Sequence, residues 1–115
     1  MEWDELDFLT VLEVEAKKDG YSYLFVVNKD DLILEVRVMA YEDEISITLY
    51  KQDISRPLLR LTLVDCLGAR RVSDERGEYL EIAGAQSHGG RWDAQQAVPF
   101  GVRVSIKPSI QIELI

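Results

Sequence analysis

Residues 21–50 read YSYLFVVNKDDLILEVRVMAYEDEISITLY, and this stretch holds three apolar segments separated by two acidic turns. Over residues 32–40 and 45–50, inward apolar side chains alternate with a second set at a period of two, the pattern of a half-buried β-strand. Residues 21–27 are rich in aromatic and β-branched side chains, which favour strands. Short connections rich in Asp favour turns. The stretch therefore predicts three consecutive antiparallel strands joined by hairpins.

The segment before this stretch continues the same alternation. Residues 6–16 alternate without a break, and Asp19-Gly20 follows with the backbone freedom that a tight hairpin turn requires. We expect residues 6–16 to form the first strand. A helix over residues 3–12 is the alternative, because Trp3, Leu6 and Leu9 would share one helical face.

The segments after residue 50 extend the pattern to the end of the sequence. Further strands are predicted over residues 59–63, 70–73, 78–83, 98–106 and 110–114. Strands at a spacing of about eight to twelve residues favour a β-sandwich or a barrel. We predict an all-β fold: an antiparallel β-sandwich of about eight to nine strands that is rich in meanders, with a closed β-barrel as the alternative. No linker divides the sequence, so residues 1–115 are expected to form a single β domain.

Charge is distributed unevenly along the chain, whose formal net charge is −8. The first 53 residues carry 14 acidic and five basic side chains, whereas the remaining 62 carry seven acidic and eight basic ones. A negative field repels nucleic acid and attracts a basic protein, although surface charge also serves solubility. Without a signal-peptide pattern or an apolar run of membrane-spanning length, we expect a soluble, cytoplasmic protein with no membrane partner.

The predicted meander assigns the acidic turns to opposite ends of the sheet. Asp30, Asp31 and Asp53 are expected at one end; the other end receives Asp19, Glu42, Asp43, Glu44 and Asp65. Clustered carboxylates suit calcium, but no spaced Asp motif or EF-hand loop is present. We therefore interpret these residues as solvated turns and predict no metal site.

Residues 84–97 interrupt the alternation and form the longest irregular segment, which is a feature of functional loops. Arg91 and Trp92 are the leading candidate binding residues, because Trp and Arg are enriched in binding hot spots. His88 and Asp93 complete the candidate site. The alternatives are a Trp92 ring that covers one end of the core and a solvent-exposed His88.

Catalytic readings have little support in the sequence. Ser87, His88 and Asp93 do not form a recognisable triad, because adjacent side chains diverge and no nucleophile elbow is present. Cys66 is the single cysteine and is expected to be a small buried side chain. No phosphate-binding or dinucleotide motif appears, so we predict no cofactor and favour a protein that is not an enzyme.

These observations favour a non-catalytic protein-interaction or assembly domain with an acidic surface, which inhibits or docks a basic partner. The alternative is a small-molecule-binding barrel or sandwich with residues 84–97 as a lid. Strands 21–27 and 32–40 are apolar on both faces, which also suggests a homodimer.

Overall fold

The computed structural model describes residues 1–84 and 101–115, which form one helix, one 3-10 turn and nine strands in two sheets. The elements are α1 (Glu5–Leu12), β1 (Lys17–Asp19), β2 (Ser22–Lys29), β3 (Leu32–Met39), the 3-10 turn (Ala40–Glu42), β4 (Glu44–Lys51), β5 (Leu59–Leu63), β6 (Gly68–Asp74), β7 (Gly77–Ala83), β8 (Gly101–Ser105) and β9 (Gln111–Leu114). The first sheet has the order β1-β2-β3-β4-β5 and the second the order β6-β7-β8-β9, with every pair antiparallel. The predicted antiparallel sandwich is confirmed, and the sheets do not close into a barrel.

The predicted strand over residues 6–16 is wrong, because α1 occupies most of this segment. The Asp4 carboxylate accepts a hydrogen bond from the Leu6 N–H at 2.9 Å and caps the first turn. The helix ends at Glu13, which adopts a left-handed conformation with φ of 58°. The predicted helical face was also wrong, since Leu6 is 63% exposed whereas the helix buries Phe8, Val11 and Leu12.

The core lies between the two sheets and is completed by the helix. The Phe8 ring stacks on Phe25 of β2 with centroids 5.3 Å apart, while α1 also lies against β6 and β7. The Trp3 ring meets Phe8 edge-on at 5.5 Å and Tyr23 at 4.9 Å. Aromatic contacts therefore hold the helix against the first sheet, and the same helix packs against β6 and β7 of the second sheet.

The acidic turns lie at two opposite ends of the first sheet, as the predicted meander requires. Asp30 and Asp31 connect β2 to β3 with φ of 53° and 61°, as in a type I′ turn. At that end, the Gln52 N–H donates to the Asp31 carbonyl at 2.8 Å. At the opposite end, the Cys66 N–H donates to the Asp43 carbonyl at 2.7 Å. The two ends are thus distinct surfaces of the first sheet.

Candidate protein-interaction surface

The binding residues predicted from the sequence, His88, Arg91, Trp92 and Asp93, lie outside the described residues, as does almost all of the predicted lid. Their role stays a prediction. The described residues nevertheless contain a surface with the chemistry of a protein-binding site.

This surface, which we call the acidic end, is formed where three connections of the first sheet meet: the β1–β2 turn, the 3-10 turn between β3 and β4, and the segment that leaves β5. It carries the acidic residues Asp19, Glu42, Asp43, Glu44 and Asp65. Asp43 and Asp65 adopt left-handed conformations, which Asp tolerates better than most residues. The local turn geometry therefore accounts for part of the acidic composition here.

Among the described residues, most carboxylates of the acidic end have no basic partner. The Met1 ammonium group lies 2.8 Å from Asp43 Oδ1 and neutralises one carboxylate. Within residues 1–84 and 101–115, no ion pair joins Asp19, Glu42 or Asp65 to a basic side chain. Basic side chains of the two described ranges therefore leave these carboxylates largely open.

Two exposed tyrosines stand at this end. Tyr21 is 68% exposed and Tyr41 is 76% exposed, and their ring centroids are 4.2 Å apart with the planes inclined at 57°. Tyr21 follows Gly20, whose φ of 61° fits a two-residue hairpin loop, while Tyr41 lies in the 3-10 turn. The turns adjoin because β2 pairs with β3, with Ser22 opposite Met39.

The tyrosines form one wall of an open recess of about 220 Å³, which we call the tyrosine recess. It is lined by Asp19, Tyr21, Ser22, Met39, Tyr41 and Glu42. Tyrosine is one of the residue types that are enriched at binding hot spots. Sequence reasoning missed this site because Tyr21 was assigned to a strand and Tyr41 to a turn. The available signal was that each of two turns predicted at the same end has a tyrosine beside its acids.

On the outer face of the second sheet, acidic and basic side chains pair with one another. Glu81 is only 2% exposed and binds Arg70 at 2.9 Å and Arg103 at 3.4 Å; Arg103 also contacts Glu113 at 3.2 Å. Opposite charges alternate across four strands, so this row compensates itself. We assign it a role in holding the sheet together.

The edge of that row contains a smaller network around Tyr79. The Tyr79 hydroxyl donates to Asp74 Oδ2 at 2.7 Å and lowers the pKa of that carboxyl. The Arg76 guanidinium carbon lies 5.1 Å from the Tyr79 ring centroid, and Arg76 also donates to Asp74 at 3.3 Å. These polar groups satisfy one another, and the adjoining recess is about 50 Å³.

Metal-ligating side chains are not clustered in the described part of the chain. In those two ranges, no three His, Cys, Asp or Glu side chains are grouped so that they could hold a metal ion. Burial raises the pKa of the Cys66 thiol to about 11, and its Sγ contacts the Leu63 carbonyl at 3.3 Å. A thiol in this state is a poor nucleophile. No helix in the described ranges is long and apolar enough to cross a membrane.

Comparison with known proteins finds a structural relative. No family model and no curated protein sequence matches the chain. The fold is similar to that of a chain in the contact-dependent growth inhibition toxin–immunity protein complex from Klebsiella pneumoniae 342, with a TM-score of 0.73. The match covers 97% of this chain and 92% of that chain at 16% sequence identity. The likeness shows that the two chains share a fold over nearly their whole lengths.

Proposed function

We propose that the chain is a non-catalytic protein-interaction domain that docks onto a basic partner protein through its acidic end and inhibits it. The observation that carries this proposal is the exposed Tyr21–Tyr41 pair among carboxylates that form no ion pair with a basic side chain of residues 1–84 and 101–115. Protein interfaces favour such aromatic anchors, and uncompensated charge steers an oppositely charged partner into contact.

The structural relative supports the inhibitory part of the proposal. A chain of the same fold occurs in a complex described as toxin and immunity protein. By analogy, we propose that the present chain acts as the inhibitor of a harmful protein. The analogy concerns the fold, so the surface argument is needed to choose the docking site.

A small-molecule site has less support. Side chains from both sheets and from α1 form one continuous apolar cluster between the sheets. The tyrosine recess of about 220 Å³ is smaller than the roughly 300–1,000 Å³ typical of small-molecule pockets, and a larger recess of about 430 Å³ beside Leu9 and Glu13 is a shallow surface depression that would enclose little of a ligand. A cytoplasmic location and a homodimer stay predictions, which fractionation and native mass spectrometry would test.

Photo-crosslinking tests the proposal in the organism that encodes the chain. A photoreactive phenylalanine analogue is placed at Val64, which is 57% exposed at the acidic end, or at Leu58, which is 59% exposed in the β4–β5 loop. We expect a protein rich in Lys and Arg to be crosslinked from position 64 and not from position 58. Expression of that protein in a heterologous host should arrest growth, and co-expression of the chain should restore it.

Two results would overturn the proposal. One is equal crosslinking from both positions, which would show that the acidic end has no preference for the partner. The other is growth arrest that co-expression of the chain leaves unchanged, which would show that binding does not inhibit.

A further inference from the structure

We infer that the tyrosine recess receives an arginine side chain of the partner, with the guanidinium against the tyrosine rings and its N–H groups donating to the carboxylates of Asp19 and Glu42. This inference rests on the proposed function and specifies what the acidic end recognises.

The first argument is the exposure of the rings. Tyr21 and Tyr41 contact each other at 4.2 Å but leave most of their surfaces open, at 68% and 76% exposure. An aromatic face carries a partial negative charge that attracts a cation. The carboxylates that line the same recess add to that attraction.

The second argument is an arrangement that the chain already contains. At Tyr79, the Arg76 guanidinium carbon lies 5.1 Å from the ring centroid while Arg76 donates to Asp74. Arg103 approaches the same ring at 5.6 Å while it binds Glu81. On the second sheet, a tyrosine ring, arginine guanidinium groups and carboxylates thus contact one another in one cluster.

The tyrosine recess has two of these three kinds of group, the tyrosine rings and the carboxylates. Its described lining supplies two tyrosines and two carboxylates but includes no arginine or lysine. The third kind of group is a cationic side chain, which a basic partner would supply. Charge complementarity therefore favours a basic side chain of a protein partner as the occupant of the recess.

Arginine fits this recess better than lysine. Its planar guanidinium stacks on an aromatic face and pairs with a carboxylate through two parallel hydrogen bonds, whereas the lysine ammonium is compact and strongly hydrated. The volume of about 220 Å³ suits one side chain rather than a larger ligand.

Short capped peptides provide the probes: glycyl-arginyl-glycine, the lysine analogue, and the citrulline analogue, which is neutral and nearly isosteric with arginine. Each is titrated into the full chain while NMR follows the ring resonances of Tyr21 and Tyr41. We expect the arginine peptide to bind about tenfold or more tightly than the citrulline peptide, because charge-assisted hydrogen bonds are lost with citrulline. The lysine peptide should fall between them.

Ring variants separate the aromatic contribution from general charge. Tyr21→Phe/Tyr41→Phe keeps both faces and should retain arginine binding; Tyr21→Leu/Tyr41→Leu keeps apolar bulk but should weaken it about five- to thirtyfold. Both positions are exposed, so both variants should fold. Equal affinity for the three peptides, or unchanged binding by the leucine variant, would overturn the inference.

These outcomes are distinct from those of the crosslinking experiment. A basic partner crosslinked from position 64 and still inhibited by the leucine variant would leave the proposed function intact and refute the arginine site. Arginine-selective peptide binding without a basic partner at position 64 would refute the proposed function and leave the chemistry of the recess in place.

Discussion

Arg70 Nη2 lies 2.9 Å from Glu81 Oε2 on the outer face of the second sheet, where the Glu81 side chain is only 2% exposed. A buried carboxylate of this kind is tolerated because arginines on both neighbouring strands donate to it, Arg70 from β6 and Arg103 from β8. The second sheet therefore depends on a charged row across its middle as well as on its apolar face.

Glu81→Ala should destabilise the fold by about 3–5 kcal/mol, because the substitution leaves two partly buried arginines without their shared carboxylate. Glu113→Ala is the matched control: its side chain is 57% exposed and binds only the outer side of Arg103. That variant should lose less than about 1 kcal/mol. Urea unfolding of both variants checks the prediction, and equal losses would show that burial of the carboxylate is unimportant.

Phe8→Ala should cost about 3–5 kcal/mol, since it leaves a cavity against Phe25 and Trp3 in the centre of the core. Leu6→Ala, on the exposed face of the same helix, should change the free energy of unfolding by less than about 0.5 kcal/mol. Thermal and urea unfolding measure both variants. A small effect of Phe8→Ala would mean that α1 does not anchor the two sheets.

Asp31→Val should destabilise the β2–β3 hairpin by about 1–2 kcal/mol, because a β-branched residue is strained at φ of 61°. Asp19→Val removes the same charge in β1, where the backbone is extended and the residue is exposed, and should be nearly neutral. Chemical denaturation compares the two. Equal stabilities would argue against a left-handed Asp31 in solution.

Cys66 should react slowly with thiol reagents in the native state at pH 8, because burial raises its pKa to about 11 from an ordinary value of 9.0. Unfolding in urea should restore fast labelling. The native thiol stays protonated between pH 9 and 11 while the unfolded thiol ionises. Stability should therefore fall over that range by up to about 2 kcal/mol more in the wild type than in Cys66→Ala. Rapid native labelling, or parallel pH profiles, would contradict a buried thiol.

The sequence predicted the strands well where one face is buried and the turns are acidic. Over residues 32–51 one face of the sheet is buried and sets the alternation, and here the predicted strands agree with β3 and β4 to within one residue. The strand predicted over residues 6–16 was wrong because the apolar side chains at positions 6, 8, 9, 11 and 12 fit both the period of a helix and that of a strand. The Asp4 cap and the acids in the first turn were the signals that could have identified the helix.

The candidate site was less accessible to sequence reasoning. The acidic residues were assigned correctly to two ends, because antiparallel strands return alternate turns to the same end. The contact between Tyr21 and Tyr41 depends on the register of β2 and β3, in which Ser22 lies opposite Met39. The alternation leaves the length of the turn open, and the two-residue loop at Asp30 and Asp31 sets that register, so the pairing of the rings required the structure.

The central claim, that the acidic end docks a basic partner, is tested most directly by the association rate of the partner crosslinked from position 64. Stopped-flow mixing compares the wild type with Asp19→Asn/Glu42→Gln at the acidic end and with Asp31→Asn/Asp53→Asn at the opposite end, where Asn tolerates the left-handed backbone. Salt is raised from about 0.01 to 0.1 M, which shortens the Debye length from about 30 to 10 Å. We predict that the wild-type and opposite-end rates fall steeply and together, and that the acidic-end variant is several-fold slower at low salt and less sensitive to salt. Equal rates and salt dependences for the two double variants would contradict the account.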